Sequence, residues 1–333
     1  MPFSRGAVPR TMGTMNNYVV VGVDGSASSR SAIRWAASYA ASQATSLVLV
    51  HAGVSPELST GDEAGRGRAS SARARARSTL ATSRVIAHAA AGASLPVETV
   101  LTPAPPDEAL TDWGKNACMI VVGSRRRGGF ARAVLGSVSN VVATHALCPV
   151  AVVPAPHPVR PPSSDTGTDA PPAPVVVGID FSSDTDDSVL AVAFAQAARL
   201  GVGLHAVHAY TPPDSSPALS GYIQFGPQRG PSASAQRWLD SILAPWSHKY
   251  PAVEITTAVV DDYPSHAILA DATHAQLIVV GSRSRGAISP LFTGSASRAV
   301  LHHAAIPTII VPSITRPTDI ATEQQSTDQR SSG

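Results

Sequence analysis

Ile120-Val121-Val122-Gly123-Ser124-Arg125 is followed, thirteen residues after its glycine, by Gly136-Ser137 and then by His145-Ala146-Leu147-Cys148-Pro149-Val150. The phrase returns 158 residues later as Ile278-Val279-Val280-Gly281-Ser282-Arg283, with Gly294-Ser295 at the same distance and His303-Ala304-Ala305-Ile306-Pro307-Thr308 after it. Each copy reads as a buried strand, a glycine-bearing loop, a helix opening on Gly-Ser, and a short final strand. A loop and helix start at the carboxyl end of a parallel strand form a place where anions are held by free backbone N–H groups. The spacing therefore predicts two copies of one α/β domain, with function sought at the loop.

Working outward, each copy alternates strands and helices. In the first, Tyr18 to Asp24, Leu47 to His51, Pro96 to Leu101, Cys118 to Val122 and Val150 to Val153 are apolar runs of strand length. Helices are expected after Ser26, over Ala69 to Ala91, from Pro106, and over Gly136 to His145, with proline tolerated in a first turn. In the second, strands are expected at Val175 to Asp180, Leu204 to His208, Val253 to Ala258, Leu277 to Val280 and Thr308 to Val311. Its helices are expected over Asp186 to Leu200, Ala233 to Lys249, Pro264 to His274 and Gly294 to His303. This alternation implies an α/β fold of two tandem doubly wound domains, each a parallel sheet with right-handed crossovers.

The boundaries follow from composition: a flexible N-terminus at 1–17, domains at 18–153 and 175–311, a linker at 154–174 and a disordered tail at 312–333. The linker holds eight prolines in twenty-one residues, which favours polyproline II with a reach of about 65 Å. The chain has 333 residues, 44% of them hydrophobic, and a net charge of +2. Two packed cores fit these numbers, and the charge gives no general attraction to nucleic acid or anionic lipid. No apolar run is long enough for a membrane span, and Met1 to Asn17 lacks the apolar centre of a secretory signal. Two cysteines, Cys118 and Cys148, suit buried thiols in a reducing cytoplasm. The arginines at 66, 68, 73, 75, 77 and 84 lack interleaved aromatics and read as a solvated helix face. None of the eleven histidines has partners at zinc-like spacing, and no phosphate-loop lysine or nucleophile elbow appears, so no catalytic residue is assigned.

Val21-Gly22-Val23-Asp24-Gly25-Ser26, Ile120 to Arg125, and Gly136-Ser137-Val138-Ser139 leading to His145 and Pro149 resemble the universal stress protein family, in its tandem form. The resemblance covers about residues 18–153 and 175–311. It implies a Rossmann-like, HUP-type fold with five parallel strands in order 3-2-1-4-5. In one branch, marked by Gly-x2-Gly-x9-Gly-Ser/Thr, it implies an ATP site, with Mg2+ accompanying the nucleotide. Carried onto this chain, Asp24 and Gly25 lie at the ribose, and Ala52, beside His51, lies at the adenine. Gly123, Arg125, Arg126, Gly128 and the helix start Gly136, Ser137, Val138 and Ser139 surround the phosphates. The second copy offers Asp180, His208, Gly281, Arg283, Gly286, Gly294, Ser295, Ala296 and Ser297.

Two departures stand out. Arg126 and Ser284 occupy the middle glycine of the motif in the two copies, and Phe181 replaces Gly25. If the middle position requires a left-handed backbone, a non-glycine residue costs roughly 1–2 kcal/mol there, or about 5- to 30-fold in affinity. The first site is therefore expected to bind more readily than the second. The implied function is a cytoplasmic ATP-binding regulator of stress or dormancy that acts on an unidentified protein partner. The same residues leave open an interaction scaffold with decayed sites, or a slow ATPase. The short, uncharged fifth strands are expected to pair with each other in an intramolecular pseudo-dimer, with further homodimerisation compatible.

Overall fold

The computed structural model describes residues 18–53, 63–126, 133–134, 136–155, 172–180, 183–210, 233–282 and 295–313. The N-terminus, most of the proline-rich segment and the C-terminal tail lie outside them. In the first repeat the elements are β1 (Tyr18–Gly22), α1 (Ala27–Ser42), β2 (Ser46–His51), α2 (Glu63–Ala91), β3 (Val97–Leu101), α3 (Pro106–Gly114), β4 (Met119–Arg126), β5 (Ala133–Val134), α4 (Ser137–His145) and β6 (Val150–Pro154). The second repeat has β7 (Val175–Ile179), α5 (Ser183–Leu200), β8 (Leu204–Tyr210), α6 (Ala233–Lys249), β9 (Ile255–Asp261), α7 (Pro264–Asp271), β10 (Leu277–Gly281), α8 (Ser295–His303) and β11 (Thr308–Val311). A 3-10 turn at Ala272–His274 ends the stretch expected to be one helix.

The strands form one sheet in the order β3-β2-β1-β4-β6-β11-β10-β7-β8-β9, with β5 paired to β4 off this path. Within each repeat the principal strands run parallel in the expected order 3-2-1-4-5. The two repeats meet where β6 and β11 pair antiparallel, Thr308 opposite Val152 and Ile310 opposite Val150. The strand order reads alike from both ends, so a local twofold relates the halves. Pairing these strands removes two apolar edges that would otherwise template aggregation.

Alternation along the central strands builds two cores. Val19 and Val21 face one side with Ile33 of α1, Leu80 of α2, Phe194 of α5 and Leu239 of α6. Val20 faces the other side with Leu110 of α3, Val142 of α4, Ile268 of α7 and Leu301 of α8. Each of these buried clusters contains residues of both repeats. Across the junction, the Arg199 guanidinium of α5 lies 5.3 Å from the ring centre of Tyr39 on α1, a cation–π contact that orients the helices. The described α2 arginines, Arg68, Arg73, Arg75, Arg77 and Arg84, are exposed. Among the described residues no helix is long and apolar enough to cross a membrane.

Both cysteines are free thiols. Burial, reinforced by the nearby Cys118, pushes the Cys148 thiol from its ordinary 9.0 up to about 12. Burial also raises Cys118, Tyr18 and Tyr39. The folded chain thus holds these protons more tightly than the unfolded chain does. The resulting stabilisation is complete below about pH 9 and is lost as pH climbs through about 12. Urea midpoints should fall across that interval, and Cys148→Ala should flatten the fall; a midpoint that stays level from pH 9 to 12 would contradict it.

Candidate functional site

The carboxyl ends of β1 and β4 diverge where the chain order reverses, with β2 on one side of β1 and β4 on the other. Doubly wound sheets open a crevice at this place, and here it is a cleft of about 380 Å3. Its walls come from four places: Gly22 to Asp24 after β1 with Ser26, Ser28 and Ser29 at the start of α1; Val50 to Ala52 at the end of β2; Pro106 and Leu110 of α3; and Val122, Gly123 and Gly136 to Ser139 across β4 and α4. The volume is within the range of small-molecule sites, roughly 300–1,000 Å3.

Three helix N-termini reach this cleft, and they differ in how their positive ends are offset. At α1, the Ser26 hydroxyl accepts from the Ser29 N–H at 3.1 Å, while the Asp24 carboxylate accepts from the Ser26 N–H at 2.9 Å. A side-chain cap and a carboxylate therefore already serve this end. At α3, Asp107 and Glu108 lie in the first turn. At α4, the cap residue is Gly136, with no side-chain cap hydrogen bond and no acidic residue in the first turn. Its first-turn N–H groups have no intrahelical acceptors, so this is the least compensated positive end on the cleft wall.

The two glycines of the motif do different jobs. A Cβ on Gly123 would lie 2.5 Å from the carbonyl carbon of Ser28 and 2.6 Å from its oxygen. Gly123, expected at the phosphates, is the place where α1 approaches β4. A Cβ on Gly136 would meet nothing nearer than the Ser139 hydroxyl at 4.0 Å. Gly136 is open space at the cleft wall, and the fold does not demand a glycine there.

Ser139 and Ser297 each spend a hydroxyl proton within the fold. The Ser139 hydroxyl donates to the Gly123 carbonyl at 3.0 Å, and the Ser297 hydroxyl donates to the equivalent Gly281 carbonyl. Each serine is 5% exposed and fastens its helix start to the strand end, which uses the hydroxyl proton inside the protein. Ser139→Ala and Ser297→Ala should each cost about 1 kcal/mol in denaturant titrations; a change indistinguishable from zero in both would undo this reading.

The middle loop also differs from expectation. Arg125 and Arg126 continue β4 as a strand, opposite Val134 and Ala133 of the short antiparallel β5. Arg126 is laddered opposite Ala133 as extended strand. The left-handed strain considered for a non-glycine residue here does not arise, because the backbone is extended and laddered. For the same reason these two residues do not form an inward nest of N–H groups. Gly25, by contrast, has φ +79, a conformation that suits glycine.

Asp24, Ala52, Gly123, Gly136, Ser137, Val138 and Ser139 are thus brought to one cleft, with Gly25 beside it. In the second repeat Asp180 follows β7, Gly281 ends β10, and Ala296 and Ser297 lie in the first turn of α8. His208 lies near the end of β8 with its ring packed inside the second repeat. It is 2% exposed, with Nδ1 3.0 Å from the Ile179 carbonyl oxygen and its ring 5.3 Å from that of Trp238. Gly128, Phe181, Arg283, Gly286 and Gly294 lie outside the described residues, as does the side chain of Ser295. Sequence reasoning missed Pro106 and Leu110 as wall residues, since nothing local to α3 points at the cleft. Ser28 and Ser29 fall in the helix expected after Ser26, which by itself does not point at the cleft. Among the described residues no group of three or more His, Cys, Asp or Glu side chains is gathered to hold a metal ion.

Fold and cleft together define a tandem, doubly wound α/β protein with a ligand-sized crevice at its switch point. The sequence profile of the universal stress protein family matches residues 15–154 and again 173–312, and the chain belongs to that family. It is 36% identical over 309 residues to universal stress protein Rv2005c of Mycobacterium tuberculosis, covering 88% of this chain and 96% of that one. It is 34% identical over 306 residues to universal stress protein Rv2623 of the same organism, covering 88% and 95%. Among solved structures, a universal stress protein from Archaeoglobus fulgidus superposes with a TM-score of 0.61 at 20% identity, covering 90% of this chain and 97% of that one; this likeness supports the fold alone.

Proposed function

We propose that this protein binds an adenine nucleotide, ATP with Mg2+, in the cleft of the first repeat, and that occupancy sets its conformation or its affinity for a protein partner in the cytoplasm. The observation that carries the reading is the α4 N-terminus, capped only by Gly136 and without an acidic residue in its first turn, opening into a cleft of about 380 Å3. Free N–H groups and the positive helix end suit phosphate oxygens. Asp24, exposed on the cleft wall, suits ribose hydroxyls. The Asp24 Oδ1 is engaged by the Ser26 N–H, and a carboxylate has further acceptor capacity.

Mass spectrometry of small molecules released from the purified native protein tests this directly, with calorimetric titration by ATP and Mg2+ as the second arm. Protein that emerges free of nucleotide and binds no ATP up to millimolar concentration overturns the proposal. Gly136→Val should lower ATP affinity at least about 10-fold, since its branches enter the space of the phosphates, while melting stays within a few degrees of the parent. The fold tolerates it because the Cβ has room and the cap loss costs about 1 kcal/mol or less. Asp24→Ala should weaken ATP by about 10- to 100-fold, the worth of one charge-assisted hydrogen bond. We further propose that the first repeat fills before the second. A titration resolving two equal, independent sites would contradict that order.

A further inference from the structure

The net charge of +2 conceals an uneven distribution. Residues 18–153 hold thirteen Lys and Arg against eight Asp and Glu, while residues 175–311 hold seven against ten. The excess sits on one layer of helices. α1 carries two arginines and no acidic residue, and α2 carries six arginines against one glutamate. The helices covering the same face of the sheet in the second repeat nearly cancel, α5 with three aspartates and one arginine, α6 with one aspartate, one arginine and one lysine. The α2 arginines are also unspent. Among the described residues the ion pairs are Lys115–Asp112, His205–Asp271 and His266–Asp262, and none involves Arg68, Arg73, Arg75, Arg77 or Arg84. Other arginines are tied to the backbone, Arg30 to the Gly25 carbonyl at 2.6 Å and Arg237 to the Ala233 carbonyl at 3.0 Å.

We propose that the exposed side of α2 binds double-stranded nucleic acid through its phosphates, without reading base sequence. Ala76, Leu80, Ser83 and Ala87 are the buried line of this helix. At about 100° per residue, Arg73, Arg77 and Arg84 form a row on one flank of that line, and Arg68 and Arg75 a row on the other. Between the rows, on the outermost arc, Ser71, Ala74, Ser78, Ala81 and Val85 are exposed and short. The helix is a low ridge with guanidinium groups reaching out from both sides. Two charged rows about 10 Å apart suit the two strands that border a groove about 12 Å wide. A flat anionic bilayer would meet the uncharged outermost arc first. Guanidinium forks fit phosphate oxygens. A duplex also carries condensed counterions whose release rewards every contact, a reserve that an acidic protein surface lacks. α2 contains no aromatic residue, so it gives single strands no stacking platform. The solvated face that the sequence pattern suggests is this surface without its partner. It is separate from the cleft, so it stands or falls independently of nucleotide binding.

Fluorescence anisotropy on the full chain with two labelled DNA duplexes of unrelated sequence tests the proposal. Five phosphate contacts predict a loss of roughly 500-fold in affinity between about 50 and 200 mM salt, equal for the two sequences. The triple variant Arg73→Gln, Arg77→Gln, Arg84→Gln keeps two of the five, so its loss over the same interval should shrink to about 10-fold, and it should bind both duplexes more weakly. Glutamine keeps the helix propensity of arginine, so melting should match the parent. Arg298→Gln, exposed on α8 on the other face of the sheet, should leave duplex binding unchanged. A parent protein that binds neither duplex at about 50 mM salt overturns the proposal, as does a triple variant with the parent's affinity and salt dependence. Poly-glutamate or phosphatidylserine vesicles bound as tightly as the duplex at the same salt would assign the ridge to an acidic protein or a membrane and overturn it too. Should the triple variant melt far below the parent, Arg68→Gln with Arg75→Gln on the other flank carries the same comparison, with an expected loss of about 40-fold.

Discussion

Gly123→Ala is expected to destabilise the protein by about 3 kcal/mol, the upper part of the usual range for overpacking, and to lower its melting temperature by about 5 °C. The added methyl would sit 2.5 Å from the Ser28 carbonyl carbon and 2.6 Å from its oxygen. These are backbone atoms of the first turn of α1, and that helix is anchored by Ile33, Ala36, Ala37 and Ala40, all 0% exposed. No rotamer change relieves the contact. Either β4 or the start of α1 has to move. Because Ser28 and Ser29 also line the cleft, the substitution should abolish ligand binding together with stability. Gly136→Ala is the matching control: its methyl points into open space, so melting should barely change. Equal melting temperatures for the Gly123→Ala protein and the parent would show that the α1–β4 approach is not what the glycine serves.

Phe194→Ala is expected to cost about 3–5 kcal/mol, as large-to-small changes at fully buried aromatics do. Phe194 is 0% exposed. Its ring centre lies 5.8 Å from that of Trp246 and 5.6 Å from that of Tyr250, both nearly parallel. On the far side, the Lys249 ammonium lies 5.0 Å from the Trp246 ring centre. Removing the phenyl ring leaves a cavity and takes the support from two further aromatics, so near-ultraviolet circular dichroism should weaken as the denaturation midpoint falls. Phe194 belongs to a buried cluster that also holds Ile33 and Trp35 of the first repeat, and β6 pairs with β11 across the junction. One shifted transition is therefore expected. Two separate transitions would show that the repeats unfold independently despite the shared sheet.

Much of the fold was legible in the chain because its signals are local. Apolar runs such as Leu47 to His51 and Leu277 to Val280 announce buried parallel strands. Pro106 and Pro264 announce first turns, and both begin helices. The uncharged fifth strands announced an edge in need of a partner, and each found the other. The limits of several elements moved for equally local reasons. β4 runs on to Arg126 because β5 gives it an antiparallel partner. That two-residue strand is too short to be read from periodicity.

The candidate site was legible in position and only partly in chemistry. Asp24, Ala52 and the run from Gly136 to Val138 line the cleft where the repeated phrase places them. The purpose of Gly123 was not legible, because Ser28, the residue it makes room for, is distant in sequence. Ser139 looked like a ligand contact, yet its proton goes to the Gly123 carbonyl sixteen residues back. The missing middle glycine looked like a loss, and the extended ladder at Arg126 makes a glycine unnecessary there.

What the order of residues settles here is periodicity, turn chemistry and repetition: two α/β units of alternating strands and helices, with the strand order coming through the family resemblance. Those properties depend on neighbours a few residues apart. What the tertiary structure decided is which polar groups are spent and which stay available. The α1 and α3 N-termini are offset while that of α4 is open, and His208 is bonded to Ile179 while the Nδ1 of His51 has no such partner. The physical reason is that a hydrogen bond or a van der Waals limit of a few ångströms depends on how distant segments pack, and the identical Val-His-Ala tripeptides at 50–52 and 207–209 meet different neighbours.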